Sequence, residues 1–130
     1  MASLHRDIPI NASPDSVWAV VRDFGAVDRL APGFVIEAKL DGDARIVTFA
    51  NGNLAREMLV DCDEARRRLV YAINNERVRH YNASVEVIAD GADSSRLLWT
   101  VDVLPHEIAP YVGGQMEQAA RAMQQALSRT

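Results

Sequence analysis

Cysteine, aromatic rings and positive charge are all scarce in this chain, and each shortage removes a class of function. A single cysteine, Cys62, stands among 130 residues, so no intrachain disulfide can form and a reducing compartment suits the protein. Lysine and arginine number 14 against 18 acidic residues, a net charge of -4, which argues against nucleic acid as a partner because that grip needs a basic patch. The densest basic run, Arg66-Arg67-Arg68, follows Asp61, Asp63 and Glu64 and leads to no aromatic platform; it reads as a solvated turn. No apolar run approaches the roughly 20 residues that span a bilayer. Charges fall within the first seven residues with no apolar stretch behind them, so no secretory signal is expected. The expectation is a cytoplasmic protein without membrane insertion. Also missing are a Gly-rich phosphate loop, a GxSxG elbow and a dinucleotide fingerprint. His5, His80 and His106 show no metal-ligand spacing and Cys62 has no second cysteine, so neither a metal nor another cofactor is expected.

What the chain does have is apolar content, 48%, enough for one real core in one domain spanning 1–130. Residues 3–10 alternate weakly, with Leu4, Ile8 and Ile10 apolar, and predict a strand. Ser13 offers a capping hydroxyl and Pro14 a preset φ. Val17, Val20, Val21 and Phe24 then fall on one helical face, with Gly25 expected to end the helix in the left-handed conformation. A further short helical turn is expected over 26–30, before Pro32.

From Phe34 to Leu104 the pattern is a β-meander. Asp41-Gly42 and Asn51-Gly52 mark hairpin turns, since glycine supplies the positive φ such turns need. Asp63-Glu64-Ala65, Asn74-Asn75-Glu76 and Asp90-Gly91-Ala92-Asp93 mark three more reversals, giving six antiparallel strands besides the opening one. Leu69, Tyr71 and Ile73 share a face, as do Tyr81, Ala83, Val85 and Val87, and Leu97, Trp99, Val101 and Val103. A period of two means a sheet packed on one side and wet on the other. Glu107 to about Arg129 reads as a long helix with Ile108, Val112, Met116, Ala119, Ala120, Met123 and Leu127 as its apolar stripe. Gly113-Gly114 inside it implies either close packing or a flat spot left for a ligand.

The expected fold is therefore α+β: a seven-stranded curved antiparallel sheet around a long C-terminal helix, with one or two short helices after the first strand. A twisted sheet this broad exceeds the width of one helix, and aromatics are only 6% of the chain, so the concave side should be filled incompletely.

The order of elements and several strings resemble the Bet v 1-like helix-grip superfamily, also called START-like or SRPBCC, and within it the polyketide cyclase/dehydrase-like family. Those strings are Ser13-Pro14-Asp15-Ser16-Val17-Trp18 ending in Asp23-Phe24; Asn51-Gly52 leading to Arg56-Glu57-Met58-Leu59; Asp63-Glu64 leading to Leu69-Val70-Tyr71; His80-Tyr81 with Ala83; and Trp99-Thr100-Val101-Asp102. The resemblance covers nearly the whole chain. It implies a deep apolar cavity between sheet and final helix, reached through loops near the helix N-terminus, here Pro105-His106-Glu107. Members bind sterols, polyketides, hormones, lipids or quinones, and some catalyse cyclisation or dehydration, so the resemblance fixes no reaction.

Tyr71, Tyr81 and Trp99 point inward by strand parity and, with Ala83, Val101, Val112, Gly113 and Met116, are the expected ligand-binding residues; each could equally be core. Glu57 is the candidate proton carrier. The resemblance implies that it faces the cavity, whereas Met58, Val60 and Cys62 form the more apolar side of its strand and would leave it outside with Asp61. A bulge or a one-residue change of turn would exchange those faces. His106, at the expected mouth, is the second candidate catalytic residue, against a plain surface role. Three functions follow: a module binding an apolar or amphipathic small molecule, a cyclase or dehydratase working through Glu57, a tyrosine or His106, or an interaction protein with an incidental cavity. The chain is also compatible with a homodimer.

Overall fold

The computed structural model describes residues 2–128. Strand β1 (Ala2–Ile10) leads to helix α1 (Pro14–Val21). The Ser13 hydroxyl accepts the Ser16 backbone N–H at 3.2 Å, satisfying one of the donors a helix start leaves free. Ser13→Ala is expected to cost about 1 kcal/mol of stability, measurable by urea unfolding. The helix stops at Val21, and Phe24 opens a 3-10 turn (Phe24–Ala26) followed by helix α2 (Val27–Leu30). Gly25 is not in the left-handed region. Its role is steric, because a Cβ there would lie 2.8 Å from the Leu40 Cγ.

Strands β2 (Val35–Asp41), β3 (Ala44–Phe49), β4 (Leu54–Asp63), β5 (Arg68–Ile73), β6 (His80–Ala89) and β7 (Ser95–Leu104) form the meander. With β1 they make one seven-stranded sheet in the order β1-β7-β6-β5-β4-β3-β2, every neighbour antiparallel. Between β3 and β4, the Phe49 N–H bonds the Asn53 carbonyl at 2.9 Å and brackets a three-residue loop, Ala50-Asn51-Gly52. Gly52 closes it at a φ of +90°, which a side chain would strain. That loop length sets Arg45 opposite Glu57. Between β4 and β5 the register shifts: Leu59 faces Tyr71, Asp61 faces Val70, and Val60 is the extra residue of a bulge. Because one residue is unpaired, Glu57, Leu59 and Cys62 all oppose residues of the inner face.

Helix α3 (Ala109–Leu127) follows a 3-10 turn over His106–Ile108. The expected start at Glu107 thus falls in the 3-10 turn, and Arg129 lies outside the described residues. Val112, Met116, Ala119 and Met123 are buried along one stripe, as the spacing predicts. Gly113 is buried against β1, where Leu4 and Arg6 lie within van der Waals reach and the Arg6 Nη2 donates to the Gly113 carbonyl at 3.1 Å. Gly113 thus faces β1 and not the hollow, at distances of 3.5 and 3.6 Å that would admit a Cβ. Gly114 is exposed. The result is the α+β helix-grip fold. No helix among the described residues is long and apolar enough to cross a membrane.

Candidate functional site

The helix covers only part of the sheet's inner face. Between them lies a cavity of about 830 Å³, within the range of small-molecule sites. Its floor comes from β3 to β7 through Val47, Glu57, Tyr71, Ile73, Tyr81 and Trp99, and its roof from α3 through Val112, Met116, Ala119 and Met123. The β3–β4 loop, the β5–β6 loop over Asn75–Val78, and Ile108 and Tyr111 complete the wall. Those loops and Tyr111 are mostly solvent-exposed and form the rim.

Below the exposed Glu76 and Arg77 of the rim, one charged pair interrupts the apolar floor. Arg45 and Glu57 retain only 3% and 6% of their surface. The Arg45 Nε and Nη2 both lie 2.8 Å from the Glu57 Oε1, and Nη1 donates to the Phe24 carbonyl at 3.1 Å. The guanidinium also lies over two rings, 4.1 Å from the Phe24 centroid and 4.9 Å from that of Tyr71. Glu57 is in the cavity wall, and Arg45 stands behind it. Burial pushes the Glu57 carboxyl above its ordinary value, opposed by the charge and hydrogen bond of Arg45. Such a carboxyl is closer to accepting a proton than a surface glutamate.

Two phenols accompany it. Burial raises both Tyr71 and Tyr81; the charge of Glu57 adds to the shift of Tyr71, and Tyr71 and Glu57 add to that of Tyr81. At neutral pH both are hydroxyls that donate or accept hydrogen bonds, not phenolates. Trp99 lies beside Tyr71, and hydrogen bonding from Trp99 and Tyr81 works against the burial that raises the Tyr71 phenol.

Of the residues singled out in the sequence, Glu57, Tyr71, Tyr81, Trp99, Val112 and Met116 meet in this cavity. Ala83 and Val101 face the same side of the sheet but are wholly buried in the core, and Gly113 packs on β1; none of these three reaches the cavity wall. His106 sits apart on the 3-10 turn, its side chain 70% exposed and 3.5 Å from the Glu107 carboxylate. Arg45 escaped the sequence reading. It could have been found by counting through a three-residue Ala50-Asn51-Gly52 loop, which pairs it with Glu57 across the hairpin.

A family model described as "Polyketide cyclase / dehydrase and lipid transport" matches residues 1–130. The chain belongs to this family. Among solved structures, the polyketide cyclase/dehydrase-like chain is similar to the protein XoxI from Bacillus cereus, with a TM-score of 0.88 at 23% identity over 98% of this chain and 96% of that one. It is also similar to a START superfamily protein from Mycobacterium smegmatis, with a TM-score of 0.80 at 15% identity over 96% of each. Norcoclaurine synthase from Thalictrum flavum, in truncated form, gives 0.74 at 20% identity over 95% and 91%. At these identities the likeness carries the START-like fold alone. A comparison with curated proteins finds no match. Family membership supports a ligand-binding or cyclase role without choosing the ligand.

Proposed function

We propose that this family member binds a hydrophobic or amphipathic small molecule, of lipid-, polyketide- or sterol-like character, in the cavity between sheet and α3. The observation that carries the reading is a hollow of about 830 Å³ with Glu57, Tyr71, Tyr81 and Trp99 as the polar groups of an otherwise apolar floor, the other polar residues of the wall being Asn51, Asn53, Asn75, Glu76, Arg77, Tyr111 and Gln115. An apolar wall rewards burial of the ligand's body at about 25 cal/mol per Å², and a small polar group of residues fixes its orientation. A hollow of this volume speaks against an incidental cavity.

Gentle purification followed by native mass spectrometry should reveal a retained apolar molecule. An added lipophile at a hundredfold excess over its Kd should stabilise the protein by about 2.7 kcal/mol, seen as a raised melting temperature. A protein that retains nothing and melts unchanged with added lipophiles is not a carrier.

A catalytic reading, as a cyclase or dehydratase, is favoured by one feature: a carboxyl with a raised pKa shares the cavity with two phenol hydroxyls. Under that reading Glu57→Gln abolishes turnover of a polyketide-like substrate even under conditions where urea unfolding shows the variant folded, since it also leaves Arg45 without its carboxylate. Undiminished turnover would remove Glu57 from the chemistry.

A further inference from the structure

The sheet has two edges, and they are finished differently. The β1 edge is tied to α3. Arg6 pairs with Glu117 at 2.6 Å and donates to the Gly113 carbonyl. Pro9 has no N–H to offer, and its carbonyl accepts from the Gln124 side chain at 3.1 Å. The β2 edge carries no such cover. Asp41 and Ala44 pair across the two-residue Gly42-Asp43 loop, as the closing hydrogen-bonded pair of a tight hairpin. Alternation then turns the backbone groups of Lys39 and Glu37 toward β3, and those of Ala38 and Leu40 toward the open side. Among the described residues, no hydrogen bond from outside the sheet reaches the backbone of Ala38 or Leu40. The near neighbour Gly25 meets the Leu40 side chain.

Such an edge is a template for another strand, and this one is complementary to itself. It reads Val35-Ile36-Glu37-Ala38-Lys39-Leu40-Asp41. Two copies set antiparallel about a two-fold axis at Ala38 would exchange both backbone bonds of that residue with its twin. In that register Glu37 stands opposite Lys39, and Ile36 opposite Leu40, twice each. Glu37 and Lys39 are exposed and pair within the strand at 3.2 Å, so the four charges of two copies would alternate in sign around a square. Ile36 and Leu40 are 60% and 64% exposed, and the same pairing would cover both. Moving the axis to Leu40 instead sets Glu37 against Asp43, like against like. Charges on an edge usually deter pairing; here the order of their signs favours one partner in one register.

From this we infer that a second copy of this chain pairs along β2, joining the two sheets into one across a two-fold axis at Ala38. The bulge between Val35 and Glu37 ends the regular ladder there and keeps the contact short, so the dimer belongs with small, reversible interfaces. The hollow between sheet and α3 takes no part in it, and the inference stands or falls apart from the carrier reading.

Sedimentation velocity of the full chain over a concentration series should show monomer passing into dimer. Glu37→Lys and Lys39→Glu each put like charges opposite one another at two symmetric places, and each should weaken the dimer about tenfold. Circular dichroism checks that both variants fold. Mixed in equal amounts they are complementary again, lysines facing glutamates, and should form a heterodimer as strong as the unsubstituted homodimer. The double variant carrying both reversals should recover in the same way. If one single variant misfolds, the other and the double variant decide the matter. A chain that sediments as a monomer at every concentration overturns the inference. So does a dimer indifferent to both reversals, which would use another surface. A loss in both variants that neither mixing nor the double reversal restores overturns it as well.

Discussion

Arg45→Met is expected to destabilise the protein by about 3–5 kcal/mol near neutral pH, because it leaves the Glu57 carboxylate buried without its partner. The loss should depend on pH in a definite direction. In the native protein the Glu57 carboxyl already lies above its ordinary value, since burial outweighs the pull of Arg45. A carboxyl that holds its proton more tightly folded than unfolded contributes stability at acid pH, and that contribution disappears as the pH climbs through the native value. Removing Arg45 takes away the influence that lowers it, so the native value rises further. The penalty of Arg45→Met should therefore be smallest in acid, where Glu57 is neutral folded and unfolded alike, and grow toward neutrality. A part that is independent of pH will remain, because Arg45 also bonds the Phe24 carbonyl and lies over two rings. Adding Glu57→Leu should recover most of the loss, as replacing both members of a buried pair commonly does. Urea unfolding of the two single variants and the double variant across pH gives the coupling directly. An equal loss at every pH, or no recovery in the double variant, would show that the pair is not held as described.

Ala119→Trp should weaken binding of an apolar probe such as 2-acetylnaphthalene on the order of a hundredfold, about 2.7 kcal/mol, because guest and indole would compete for the same space. Ala119 is 1% exposed and its methyl lies in the roof of the cavity. Ala119 also belongs to the packed core, so the added indole should cost the folded protein about 1–3 kcal/mol. Calorimetric titration paired with urea unfolding checks both halves. Unchanged affinity would move the binding site elsewhere. The first place to look would then be the groove of about 390 Å³ on the other side of Phe34 and Phe49, where Pro32, Gly33 and Ala50 face Gln118 and Arg121 of α3.

The sequence revealed those parts of the fold whose cause is local. Ser13 caps α1 because a hydroxyl and a following proline say so within four residues. Gly42, Gly52 and Gly91 have positive φ at three of the reversals read from composition. Alternation in β5, β6 and β7 gave the correct inner face for Tyr71, Tyr81 and Trp99 because those strands run without interruption. Parity could not give depth, however. Ala83 and Val101 share that face yet lie in the solid core, since what covers a strand residue depends on where the helices cross it. His106 was placed at the mouth because the resemblance puts the entrance near the N-terminus of the final helix, but the 3-10 turn carries its side chain into solvent. The orientation of Glu57 was open for a reason of the same kind. Its strand alternates in a way that contradicts its pairing, and the contradiction is resolved only at Val60, by an event with no mark in the local composition.

That unpaired residue in β4 has a consequence for comparing related chains. It uncouples the two halves of one strand, so that Glu57 and Cys62, at positions of opposite parity, lie on the same side. Gaining or losing a single codon between them would oblige one half to turn over. A relative could then match this chain letter for letter around Arg56-Glu57-Met58 and still present its acid to solvent. In such a lineage the polarity of the hollow is inherited through strand length as much as through side-chain identity.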